Sequence, residues 1–120
     1  MEKTYTVYTG LSKSSYDKNW KHKSLIKDRL TNVTFDEDLA VDYSYDFNTG
    51  TYDDIILELS NVPLNAFIAY RKNNYKDDDD FISMINMKSD KKINIIEKYN
   101  LFLIDVFYFK DIININLIKK

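Results

Sequence analysis

The 120-residue chain has no cysteine, one histidine, one proline and two glycines. Without thiols there is no disulfide framework, no thiolate zinc site and no cysteine nucleophile, and nothing points to an oxidising compartment. A single histidine, His22, cannot build a multi-histidine metal centre and leaves a Ser-His-Asp triad only one base. It stands among lysines, where an exposed surface position is expected. With only Gly10 and Gly50 present, no glycine-rich phosphate loop of Walker or Rossmann type can form. Turns must then come mostly from Asn, Asp and Ser. No apolar stretch approaches the ~20 residues needed to span a bilayer, and the opening "MEKTYTVYTGL" lacks a basic segment followed by an apolar one. These absences lead us to expect a soluble, cytoplasmic protein with no membrane span and no metal.

What is present suits one ordinary domain over residues 1–120, long enough to bury a single core. A formal charge of -2 conceals segregation: acids crowd Asp36–Asp54 and Asp77–Asp80, and lysines dominate Lys13–Lys27. The basic stretch "KNWKHKSLIK" contains one good stacking residue, Trp20, so direct nucleic-acid binding ranks last among the function classes. Heavy use of Lys, Asn, Ile and Tyr with only two arginines fits an AT-rich coding sequence, as in a low-GC bacterium or its phage. A phage-encoded chain would work in the host cytoplasm.

Along the chain, the alternation in "YTVYTGL" reads as a strand that Gly10 ends. Ser14–Leu30 is compatible with a helix or with a long loop containing one helical turn. In "TFDEDLAVDYSYDF", Thr34 and Glu37 have capping-box spacing, and Asp36, Glu37 and Asp38 would complement the helix dipole. Phe35, Leu39, Tyr43 and Phe47, with Ala40 beside them, would form its apolar face. Asn48–Thr51 is a turn, and "DIILELSNV" is a half-buried strand closed by Pro63. "LNAFIAYRKN" stays open between helix and strand. From Phe81 onward "FISMINM", "INIIEKY", "LFLIDVFYF" and "IININLI" read as three or four antiparallel strands joined by short turns. The expected fold is α+β, one mixed or antiparallel sheet with one or two N-terminal helices. Lys88, Lys91, Lys92, Lys98 and Lys110 would guard strand ends, and an uncovered last strand would invite a homodimer.

The run Asp77–Asp80 lacks the glycine and glutamate that shape an EF-hand loop. It reads as a solvated acidic loop, or as a step whose last member, Asp80, turns a carboxylate into a cleft. The order of the pieces resembles the ADP-ribosyltransferase fold of bacterial exotoxins and small phage effectors, over roughly Tyr5 to Tyr99. Tyr8-Thr9-Gly10 stands where that family has Tyr-Arg-Gly or Tyr-His-Gly. Thr34 and Ala40 match the spacing from its Ser-Thr-Ser segment to a helical alanine, and Asp78-Asp79-Asp80 stands where its catalytic glutamate opens a strand. The resemblance implies NAD as cofactor, with Tyr8, Thr9 and Gly10 lining its pocket, Thr34 orienting the first strand or merely capping a helix, and aromatics such as Tyr43 and Phe47 beside the ring. Core packing is the plainer reading of those two aromatics. Asp80, with Asp78, would stabilise the cation that forms as nicotinamide leaves. Threonine in place of Arg or His, and aspartate one methylene short of glutamate, imply an altered nucleotide site or a scaffold kept for binding.

Ten tyrosines and seven phenylalanines exceed what one small core must bury. Asp36, Glu37, Asp38, Asp42, Tyr45, Asp46, Tyr52, Asp53 and Asp54 would together present an acidic, tyrosine-rich surface, though such a run is usually a solvated face. The expected function is an ADP-ribosyltransferase-like effector of a phage or mobile element acting on a host protein. The alternative is an inactive scaffold that inhibits a basic partner, such as a nucleic-acid-binding or host-defence protein, through that surface.

Overall fold

The computed structural model describes residues 3–71, 81–98 and 103–119. Alternation makes Thr4–Leu11 strand β1, with Val7 and Thr9 turned inward and buried. Helix α1, Lys13–Asn19, starts where the Ser12 hydroxyl accepts from the Ser15 amide at 3.2 Å. After a single 3-10 turn at Lys23–Leu25 the chain re-extends as β2, Arg29–Val33. The stretch left open between helix and loop thus contains both, and ends in a strand.

A six-residue helix α2, Glu37–Asp42, leads to a small hairpin of β3, Tyr45–Asp46, and β4, Thr51–Tyr52, whose turn holds Gly50 at φ +71°. The nine-residue β5, Ile55–Pro63, ends at the only proline, as expected. Another 3-10 turn, Leu64–Ala66, opens into β6, Phe67–Arg71. Then come β7, Phe81–Ser83, helix α3, Ser89–Lys98, β8, Leu103–Tyr108, and β9, Asn114–Lys119.

The strands form two antiparallel sheets besides the hairpin, ordered β1-β5-β9 and β2-β8-β6-β7. One hydrophobic cluster draws Val7, Leu57 and Leu59 from the first sheet and Val33, Phe67, Ile104 and Val106 from the second, with Ile95 and Ile96 of α3. The architecture is α+β with antiparallel sheets and few helices. On the opposite face of β5, Ile56 is fully buried, and α2 packs over β1 and β5. That double coverage explains why Ile55–Leu57 read as a continuous apolar run.

Three expectations are overturned. "INIIEKY" is not a strand, because Lys92, Ile95 and Ile96 share the buried face of α3 and only Ile93 and Ile95 alternate. The last strands form no simple meander: β8 lies inside the four-stranded sheet and β9 at the edge of the three-stranded one. Of the lysines assigned to strand ends, Lys91, Lys92 and Lys98 lie in α3 with Lys88 just before it, and Lys92 is buried. None of the described helices is long and apolar enough to cross a membrane.

Candidate functional site

Among the described residues one backbone bridge joins the facing edges of the two sheets. Tyr8 and Thr34 exchange backbone hydrogen bonds of 2.8 and 2.9 Å, an isolated antiparallel bridge between β1 and the residue after β2. Away from it the strands part, β1 toward Leu11 and β2 back toward Arg29, each held by its own sheet. The wedge between them is a cleft of 320 Å³ with Tyr8, Thr9, Gly10 and Leu11 on one side and Arg29 to Thr34 on the other. Ser15, Trp20, Tyr43 and Leu103 complete the lining. Small-molecule sites run from ~300 to ~1,000 Å³, so this cleft is at the small end.

Tyr8, Thr9, Gly10, Thr34 and Tyr43, the residues that the resemblance would place at a cofactor, all line this one cleft. Gly10, Thr34 and Tyr43 also have structural reasons to be where they are. Gly10 abuts α2 so closely that an added Cβ would lie 1.7 Å from the Ala40 carbonyl oxygen. Burial raises the Tyr8 phenol above the usual tyrosine range, and Glu58 and Glu37 push the same way. Tyr43 is the C-cap of α2 and 38% exposed.

Thr34 is not the N-cap of α2, which corrects the capping-box expectation. Its backbone is committed to the bridge with Tyr8, and its hydroxyl accepts from the Asp36 amide at 3.2 Å as a local turn. The helix therefore starts later, with Asp36 as N-cap accepting from the Asp38 amide at 2.9 Å. The short helix also ends before Phe47, which is 89% exposed in the hairpin turn with its ring edge-on to Tyr45 at 4.9 Å. Phe47 belongs neither to a helical face nor to the cleft.

Asp80 and Asp78 lie outside the described residues. Phe81 opens β7, the edge of the four-stranded sheet opposite β2. Among the described residues no carboxylate lines the cleft, and the side chain that β8 contributes to it is Leu103.

The structure adds Arg29, Thr31 and Trp20. Arg29 is the one cation among the described lining residues, and its guanidinium lies 5.0 Å from the centroid of the Trp20 ring. Thr31 is 8% exposed, and its hydroxyl has no hydrogen-bond partner in the described structure. A buried hydroxyl without a partner is costly. The available signal was composition: an arginine chosen over lysine in a lysine-rich chain.

The acidic, tyrosine-rich residues form α2 and the hairpin. Asp36, Glu37, Asp38 and Asp42 are exposed along α2, and Tyr52 is exposed on β4. Others have local duties. Asp46 accepts from the Asn48 amide at 2.8 Å, Asp53 accepts from the Lys13 amide at 2.7 Å at the start of α1, and Tyr45 packs on the Tyr52 ring at 5.0 Å. Asp54 adopts φ +55° at the entry to β5.

The chain matches no protein-family model, no curated protein and no solved structure.

Proposed function

We propose that the cleft between β1 and β2 binds NAD and that the chain is an ADP-ribosyltransferase-like effector acting on a host protein. One observation carries the reading: five positions that the resemblance would place at a dinucleotide line a single cleft whose opposite wall adds Arg29. A dinucleotide offers phosphates, ribose hydroxyls and flat rings. Arg29 supplies the forked donor for a phosphate, and thus the cation missing at Thr9, from the facing strand. Tyr43, 38% exposed, offers a ring face. At 320 Å³ the cleft takes one nucleoside half, the remainder lying across its mouth.

Departure of nicotinamide leaves positive charge on the ribose, and Asp80 with Asp78 are the carboxylates assigned to stabilise it. Tyr43 belongs both to the cleft and to the end of α2, so a basic partner held along Asp36, Glu37, Asp38 and Asp42 would present its acceptor at the cleft. Leu103, an apolar side chain at the β8 position on the cleft, favours a second reading: a scaffold that binds nucleotide and partner without transfer.

Calorimetric titration with NAD tests the site. Wild type should bind in the micromolar to millimolar range, and Arg29→Ala should bind about tenfold more weakly or worse, since a charge-assisted hydrogen bond contributes ~1.5–3 kcal/mol. Asp80→Ala should bind NAD yet lose its cleavage. No heat with wild type would remove the cleft from consideration, whereas binding without turnover in wild type would leave the scaffold reading.

A further inference from the structure

A lysine stands where the core face of α3 asks for an apolar side chain. Lys92, Ile95 and Ile96 share that face and all are buried, Lys92 being 6% exposed. A buried ammonium is expensive unless its donors are met. Among the described residues the Lys92 Nζ meets one acceptor, the Phe67 carbonyl at 3.3 Å, and forms no ion pair. That leaves donor capacity unused, and Lys92 lines a cavity of 530 Å³, separate from the cleft. Leu64, Ile85, Met87 and Ile93 supply apolar walls, and Asn65 and Ser89 an amide and a hydroxyl. Lys3 is the other charged group lining the cavity among the described residues, and its ammonium pairs with Glu97. The Leu64–Ala66 turn packed against α3 adds no titratable side chain.

We infer that Lys92 is a nucleophilic amine that captures small aldehydes or ketones in this cavity as an imine. Such compounds carry one polar atom for the amide and hydroxyl of Asn65 and Ser89 and an alkyl part for the apolar walls. Burial pushes the Lys92 amine below the usual lysine range, so more of it is uncharged at a given pH than of an exposed lysine. In the addition step the nitrogen lone pair forms a bond to the carbonyl carbon, and the C=O π pair moves to oxygen, which takes up a proton. The carbinolamine then loses its hydroxyl as water while nitrogen gives up its second proton. One C=O and two N–H bonds are exchanged for C=N and water, with no oxidant or reductant required. Asn65 or Ser89 can donate to the carbinol oxygen.

The test treats the intact protein at pH 7 with propanal and cyanoborohydride, which reduces an imine to a stable alkylamine, and follows each lysine by peptide mass spectrometry. Lys92 should be alkylated several-fold faster than the median exposed lysine. The preference should vanish near pH 10.5, the ordinary lysine value, where exposed amines also lose their protons. A Lys92 rate at or below that of the exposed lysines at pH 7 would mean that the amine is only a packed structural donor, and would overturn the proposal. The Lys92→Met variant confirms the peptide assignment by losing that one adduct, and no arm of the experiment depends on NAD.

Discussion

At residue 10 a methyl group would meet the Ala40 carbonyl oxygen at 1.7 Å, so Gly10 is required by the close approach of α2 rather than by a left-handed backbone. Gly10→Ala should lower stability by at least ~1–3 kcal/mol, the usual cost of overpacking, read from the urea midpoint. Thr31→Val should do the opposite in the absence of ligand. Removing a buried hydroxyl that has no partner among the described residues leaves stability equal or higher, read from the urea midpoint. Lys92→Met should raise stability at pH 7 by about 1–3 kcal/mol, because an alkyl chain replaces a poorly satisfied buried cation. The sign follows from linkage. The folded amine titrates below the unfolded one, so with rising pH the folded state releases its proton first, and wild-type stability recovers as pH climbs from the folded value toward 10.5. Tyr5, Tyr8 and Tyr108 are shifted upward and act in the opposite direction. The gap between wild type and Lys92→Met isolates the lysine, and it should narrow from pH 7 to pH 10.5.

Among the elements, α2 shows how a correct helix can begin with the wrong cap. The acids at Asp36, Glu37 and Asp38 signalled a helix start, and the helix exists, but Thr34 was already held by its bridge to Tyr8 in another strand. Local sequence contains no trace of that long-range bond. Asp36→Ala should therefore cost ~1 kcal/mol, while Glu37→Gln should cost almost nothing, a contrast measurable by thermal unfolding. The misreading of α3 has a different origin. Ile93 and Ile95 alternate over too few residues to separate a strand from a helix, and a lysine on the buried face hid the helical spacing. By contrast β1, β5 with Pro63 at its end, and the Asn48–Thr51 turn were legible, because their patterns are short, regular and punctuated.

For the whole molecule, the separation into two sheets makes the cleft. If β1 and β2 paired along their length the wedge would close; among the described residues their pairing is limited to the bridge at Tyr8 and Thr34. The same arrangement leaves β9 at the outer edge of the three-stranded sheet, with Leu117 43% and Ile118 38% exposed. An open edge whose one charged residue, Lys119, stands at its last position invites a second copy in antiparallel register. Ile118→Lys should suppress self-association at high concentration, measured by sedimentation velocity; an unchanged profile would show that this edge is not used.

The sequence by itself determined the absences, the α+β class, and the positions of β1 and β5. These follow from composition and from patterns a few residues long. Only the tertiary structure decided that Arg29 and Thr31 share a cleft with Tyr8, Thr9 and Gly10, that Thr34 bridges strands instead of capping a helix, and that Lys92 is buried with one acceptor among the described residues. Each depends on contacts between segments far apart in the chain, 26 positions for Tyr8 with Thr34 and 25 for Lys92 with Phe67. Contacts of that reach are set by how the two sheets and α3 close around one core, and no local window of sequence contains them.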